Sequence, residues 1–157
     1  MRIAIVDDER PARSELRHQI QELLKEAEIV EGDSGAAALQ IAGDGKYELF
    51  FLDINLGDIS GTVLVNAIHN MQPQAKIIFV TAYSEYAVEA FELGVEDYLL
   101  KPITKNALIE RLSEIAAAMN MKKHRKNITK NSRERCRLMR RTAAAIFLRH
   151  WSAVPWT

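Results

Sequence analysis

The stretch "IIFVTAYSEYAVEAFELGVEDYLLKPI" (residues 77–103) carries two short apolar runs with a helical pattern between them. "IIFV" ends at Thr81, and "YLL" ends at Lys101, just before Pro102. Ala87, Ala90 and Phe91 mark a short helix that Gly94 closes, in the manner of glycine at a helix C-terminus. Strand, short helix and strand with brief connections form one unit of a parallel sheet covered by helices. Buried strands are usually bounded by turn residues. A lone hydroxyl and a lone ammonium at these two ends therefore need a reason.

The same alternation extends toward the N-terminus. "RIAIV" (2–6) is a β-branched run followed by Asp7, Asp8 and Glu9. Pro11 suits a first helical turn, and Leu16, Ile20, Leu23, Leu24 and Ala27 recur at helical spacing. "EIVEG" is a weaker strand near 28–31, and residues 34–42 read as a short Ala-rich helix with Ser34 as its N-cap. "ELFFLDI" (48–54) is a strong buried strand. Gly57 and Gly61 flank a turn, and Val63, Leu64, Ala67, Ile68 and Met71 form the next helical stripe. "AKIIFV" is strand four, "DYLL" is strand five, and Leu108, Leu112, Ile115 and Met119 line a fifth helix. The pattern predicts an α/β protein: a doubly wound five-stranded parallel sheet with helices on both faces. Ligands of such sheets bind outside the carboxyl ends of the strands.

Five polar residues stand at those ends: Asp7 and Asp8 after strand one, Asp53 after strand three, Thr81 after strand four and Lys101 after strand five. Three carboxylates in one pocket repel, by about 3 kcal/mol per pair at ~5 Å and an effective dielectric near 20. A cation relieves this, and oxygen donors without His or Cys select a hard ion such as Mg²⁺. A lysine suits phosphate as a point charge, a threonine hydroxyl donates to a phosphoryl oxygen, and an aspartate in this setting is a plausible nucleophile that forms an aspartyl-phosphate. Each residue alone has a plainer reading. Asp7 and Asp8 suit a solvated helix N-terminus, Asp53 a turn cap, Thr81 an N-cap, and Lys101 a solvent-facing side chain. The convergence of all five on one edge is what those readings leave unexplained. "GDGK" (43–46) lacks the glycine spacing of a P-loop, and the acidic end of strand one would repel a pyrophosphate. A haloacid-type phosphatase expects a second Asp two residues after the first, where this chain has Asn55. A small Mg²⁺-dependent phosphatase is accordingly the lesser reading.

The pieces "IVDDE" (5–9), "FLDINLGDISG" (51–61), "FVTAYSEYA" (79–87) and "DYLLKPI" (97–103) resemble the receiver domain of bacterial two-component response regulators. The wording from Thr81 to Ile103 is most similar to the LytR/AlgR-type subfamily. The resemblance covers about residues 1–120 and implies a flavodoxin-like receiver over 1–121. It implies that Asp53 is the phosphoacceptor, that Asp8 ligates Mg²⁺ directly and Asp7 directly or through water, and that the Asn55 backbone carbonyl is a third protein ligand. Thr81 and Lys101 would sense the phosphoryl group, Tyr98 would be the switch aromatic, and the small Ala82 would leave the phosphoryl accessible. The donor would be a phosphohistidine on a sensor histidine kinase. The protein would catalyse only its own phosphorylation and dephosphorylation. The helix 4–strand 5–helix 5 surface would respond, with homodimerisation and, in the parent family, transcription regulation as output. Lys101–Pro102 is a candidate cis peptide, which needs a proline.

The chain has 157 residues and no net charge, but the halves differ. Residues 1–121 hold 10 Lys/Arg and 20 Asp/Glu, a net of −10, and residues 122–157 hold 11 basic residues against one acid, Glu134, a net of +10. No apolar run approaches a membrane span of about 18 residues, and the short apolar run at the N-terminus is followed by acids, unlike a signal peptide. A cytoplasmic protein without membrane contact is expected. Cys136 is single, so no internal disulfide is expected, and His18, His69, His124 and His150 are scattered rather than spaced for zinc. The basic tail, 122–157, is expected to be disordered or partly helical and lacks the β-rich DNA-binding domain that LytR/AlgR-type regulators carry, which puts DNA binding in doubt. Three readings stay open for it: a non-native ending from a frameshift or read-through, a basic arm that binds nucleic-acid phosphates, or a solvated extension.

Overall fold

A computed structural model describes residues 1–119. The chain divides into two compact units, Met1–Arg111 and Leu112–Thr157. The first contains the whole sheet. Of the second, only 112–119 are described. The expected boundary at 121 and the basic tail lie outside the described residues.

Strands β1 (Arg2–Val6), β2 (Glu28–Gly32), β3 (Leu49–Leu52), β4 (Lys76–Thr81) and β5 (Asp97–Leu100) alternate with helices α1 (Arg10–Leu23), α2 (Gly35–Asp44), α3 (Gly61–Met71) and α4 (Ala87–Glu92). A fifth helix, α5, spans 105–119. All neighbouring strands are parallel, in the order β2-β1-β3-β4-β5. The doubly wound α/β expectation holds. The order reverses at β1, because β2 lies on one side of it and β3, β4 and β5 on the other.

The three central strands are apolar on both faces because helices cover both. Ala4, Val6, Phe50, Leu52, Ile77 and Phe79 alternate into one core with Ala38, Leu64, Val65 and Ile68 of α2 and α3. The intervening Ile3, Ile5, Leu49, Phe51 and Ile78 are equally buried, as are Leu16 and Ile20 of α1. Each fully buried phenylalanine contributes roughly 2 kcal/mol, so Phe50, Phe51 and Phe79 weigh heavily in holding this sheet against its helices.

Local signals explain most boundaries. Ser34 caps α2 by accepting from the Ala37 N–H, and Ser60 caps α3 by accepting from the Thr62 N–H. Gly94 closes α4 at φ +77°. Two expectations need correction. The stripe of α1 does not run through Leu24 and Ala27. Leu24 leaves helical geometry at φ −127°, ψ 74°, and Ala27 donates to the Leu24 carbonyl in a turn. On α3, Val65 is buried where Val63 was expected, because Val63 lies on the opposite flank of the helix from Val65, and Met71 is exposed at the last helical position. Phe91 of α4 is 63% exposed, whereas Ala90 is fully buried, so this short helix meets the sheet through its alanine. Among the described residues no helix is long and apolar enough to cross a membrane.

Candidate functional site

The sheet's own ladder places the polar ends. The Asp7 N–H donates to the Gly32 carbonyl at 3.1 Å, the Asp53 N–H to Val6 at 2.9 Å, and the Lys101 N–H to Thr81 at 2.9 Å. Parallel pairing thus continues one residue past β1, β3 and β5 and holds these backbones in register. The Lys101–Pro102 peptide is cis, as expected. Asp7, Asp53 and Thr81 are the buried polar residues among the described ones, at 3%, 5% and 0% exposure.

Asp7, Asp8 and Asp53 each offer a carboxylate oxygen, and these oxygens lie within 4.8 Å of one another. Asp8 is exposed and forms the open side of the group. Lys101 Nζ reaches between the two buried acids, 2.8 Å from Asp7 Oδ2 and 2.7 Å from Asp53 Oδ2, with Glu9 Oε2 at 3.8 Å. Lys101 thus contacts three carboxylates, and Asp8 stands beside two of them. The remaining oxygens are held locally: Asp7 Oδ1 accepts from the Glu9 N–H at 2.8 Å and Asp53 Oδ1 from the Asn55 N–H at 3.3 Å. Burial pushes the Asp7 carboxyl above its ordinary range despite the pull of Lys101. For Lys101 burial works downward, but hydrogen bonds to Asp53 and Asp7 win and hold the ammonium above its ordinary value. The site is therefore short of positive charge, and its donors are all oxygen. That combination fits a hard divalent ion in a mouth that the exposed Asp8 leaves open.

Thr81 Oγ1 is buried with no hydrogen-bond partner among the described residues. Such an orphan costs about 1–3 kcal/mol, and an acceptor brought to the site would relieve it. Tyr98 lies half-buried with its ring edge-on to Phe79, 6.2 Å between centroids, and its hydroxyl donates to the Tyr83 backbone carbonyl. Burial raises its phenol above the usual value. Ala82 is exposed beside the site. The structure brings Asp7, Asp8, Asp53 and Lys101 together as the sequence pattern predicts, and Thr81 and Asn55 flank them. Two contributors escaped the pattern. Tyr83 approaches the Asn55 side chain through its hydroxyl at 3.5 Å. Asp58, in the loop after β3, accepts from the Gly35 N–H at 2.7 Å and the Ala36 N–H at 2.9 Å. Those N–H bonds hold its carboxyl below the usual range. Neither contact has a local signal, because the partners lie 28 and 22–23 residues away.

A parallel sheet in the order β2-β1-β3-β4-β5, with acids at the ends of β1 and β3 and a lysine at the end of β5, defines a flavodoxin-like receiver module. The chain belongs to the response regulator receiver domain family, whose profile matches residues 3–113. It is similar to the transcriptional regulatory protein LytR of Staphylococcus aureus (strain N315), 37% identical over 117 residues, covering 74% of this chain and 48% of that protein. The LytR-type resemblance of the sequence is thus upheld, and the chain spans about half the length of the curated relatives it matches. Among solved structures it is similar to the response regulatory domain of mrkE from Klebsiella pneumoniae, with TM-score 0.71, 36% identity, and coverage of 77% of this chain and 99% of that one. It is also similar to the response regulator TrrA from Thermotoga maritima, solved in complex with Mg(2+)-BeF, with TM-score 0.66, 33% identity, and coverage of 73% and 97%.

Proposed function

We propose that Asp53 is the phosphoacceptor of this receiver and that a sensor histidine kinase supplies the phosphoryl group from a phosphohistidine, in the cytoplasm. The carrying observation is the position of Lys101 Nζ, which contacts Asp53 and Asp7 together, and the Thr81 hydroxyl, without a partner among the described residues, supports it. An Asp53 oxygen forms the new O–P bond as the P–N bond to the donor imidazole breaks, and that imidazole is released and takes a proton from water. Asp7, Asp8, Asp53 and the Asn55 backbone carbonyl would hold Mg²⁺, in keeping with the Mg(2+)-BeF complex of TrrA. The ion supplies charge neutralisation for the transferring phosphoryl. Lys101 then moves its contact from the carboxylate to a phosphoryl oxygen, and Thr81 donates its hydroxyl to another. The protein catalyses its own phosphorylation and dephosphorylation only.

The transfer adds about −1.5 to −2 charge, which biases a two-state element. Tyr98 on β5 donates its hydroxyl to the Tyr83 carbonyl in the loop before α4, which supports its role as the switch aromatic. The exposed Val88, Phe91 and Leu100 on α4 and β5 support an α4–β5–α5 face that pairs two copies after phosphorylation. Regulation of transcription is the parent family's output and enters here as part of the same proposal.

The test is labelling by a radiolabelled small phosphodonor. Wild type is labelled in Mg²⁺ and not after chelation, and Asp53→Ala is unlabelled. Equal labelling of Asp53→Ala sinks the assignment. Lys101→Ala remains able to accept the phosphoryl group but loses the dimerisation response. An unchanged response counts against its role as sensor.

A further inference from the structure

The loop from Ile54 to Ser60 leads from the end of β3 to α3. Its base is closed tightly: Asn55 and Ser60 form an antiparallel bridge, and the Gly61 N–H donates to the Ile54 carbonyl at 2.7 Å. A Cβ at Gly61 would lie 2.7 Å from the Asp53 carbonyl oxygen and the Ile54 Cα, so only glycine allows this approach. The loop turns at Gly57, φ +79°.

The tip is held differently. On one side a cleft of about 390 Å³ separates it from the β4–α4 segment, lined by Asn55, Asp58, Ile59, Tyr83 and Tyr86. On the other side Asp58 spans to the first turn of α2 with both carboxylate oxygens, at 2.7 Å to the Gly35 N–H and 2.9 Å to the Ala36 N–H. Ile59 lies so close to α2 that a Cβ at Gly35 would sit 2.6 Å from the Ile59 Cβ. A carboxylate on free helix N–H groups is favoured by both the hydrogen bonds and the helix dipole. Ser34 already satisfies the Ala37 N–H, so the two capping residues divide the helix terminus between them.

We propose that Asp58 is a positioning residue for the divalent ion: by tying the loop tip to α2 it holds the Asn55 carbonyl at the mouth of the Asp7–Asp8–Asp53 group. This rests on the reading of that group as the metal site. Asp58 touches none of the three acids in the contacts above, and it acts through the backbone between Asn55 and Gly57. Outer contacts of this kind commonly change metal affinity by about 10–100-fold.

Ser34 provides the control, because it caps the same helix without touching the loop. Mg²⁺ binding to the full chain is measured by calorimetry, with thermal melting of the metal-free protein in parallel, for wild type, Asp58→Asn, Asp58→Ala and Ser34→Ala. The expected result is a Kd for Mg²⁺ raised about tenfold in both Asp58 variants. Ser34→Ala melts at a lower temperature yet binds Mg²⁺ as wild type does. Wild-type affinity in the Asp58 variants overturns the proposal while leaving the metal site intact. So does an equal loss in Ser34→Ala, which assigns the effect to helix stability. No Mg²⁺ binding by wild type removes the metal site itself, and this proposal falls with it.

Discussion

The two ends of one sheet treat charge in opposite ways. At the amino ends of the strands charges are matched: Arg2 pairs with Glu28 at 3.2 Å, Lys76 with Glu96, and Arg111 with Asp97. At the carboxyl ends Asp7 and Asp53 are buried, Asp8 and Glu9 stand beside them, and Lys101 is the cation they share. The first arrangement is what solvated strand ends adopt at little cost. The second stores repulsion and desolvation that folding alone would remove, so it marks the end proposed above to bind a cation and a phosphoryl group. The lesson is that the imbalance of charge, rather than its amount, locates the function.

The sharpest way to break this contrast is to remove the shared cation. Lys101→Met leaves two buried carboxylates without their partner and should destabilise the metal-free protein by about 3 kcal/mol, measured by urea unfolding, with Mg²⁺ restoring part of the loss. A midpoint equal to wild type would mean the carboxyl end is no more strained than the amino end. The pH dependence follows from the same pair. Lys101 is held above its ordinary value of 10.5, so its contribution is complete below that pH and is lost as pH rises through the folded-state value. Alkaline melting of wild type should show this loss, and Lys101→Met should not.

The next effect is smaller and opposite in sign. Asp7 is pushed up by burial, so its ionised form opposes folding at neutral pH. Asp7→Asn should raise the metal-free melting temperature while weakening Mg²⁺ binding. A lower melting temperature would show that Asp7 is structural. The smallest effect belongs to the amino end. Glu96→Gln removes a half-exposed partner of Lys76 and should cost less than about 1 kcal/mol, shrinking further in high salt.

Much of the fold was legible because it rests on local, periodic signals. The apolar runs at 2–6, 48–54 and 77–80 and the Ser34 cap needed no partner to be recognised. The reading slipped where burial depends on neighbours rather than period. On α3, Val65 rather than Val63 meets the core. The site was legible as residue types at strand ends, since the carboxyl edge of such a sheet is a consequence of topology. The Asp58 clamp was invisible beside "DISG", where a carboxylate so near Ser60 suggests the following helix. It caps α2 instead, 22–23 residues back along the chain.

What the sequence by itself determined is the identity and order of the elements and the chemistry at their ends, because apolar periodicity, caps and strand-end polar residues act over a few neighbouring residues. Only the tertiary structure decided that Lys101 lies between Asp7 and Asp53, that the Thr81 hydroxyl has no hydrogen-bond partner among the described residues, and that Asp58 reaches α2. These depend on strands and loops brought together across tens of residues, where the sheet's register sets distances to within a hydrogen bond and no local pattern encodes them.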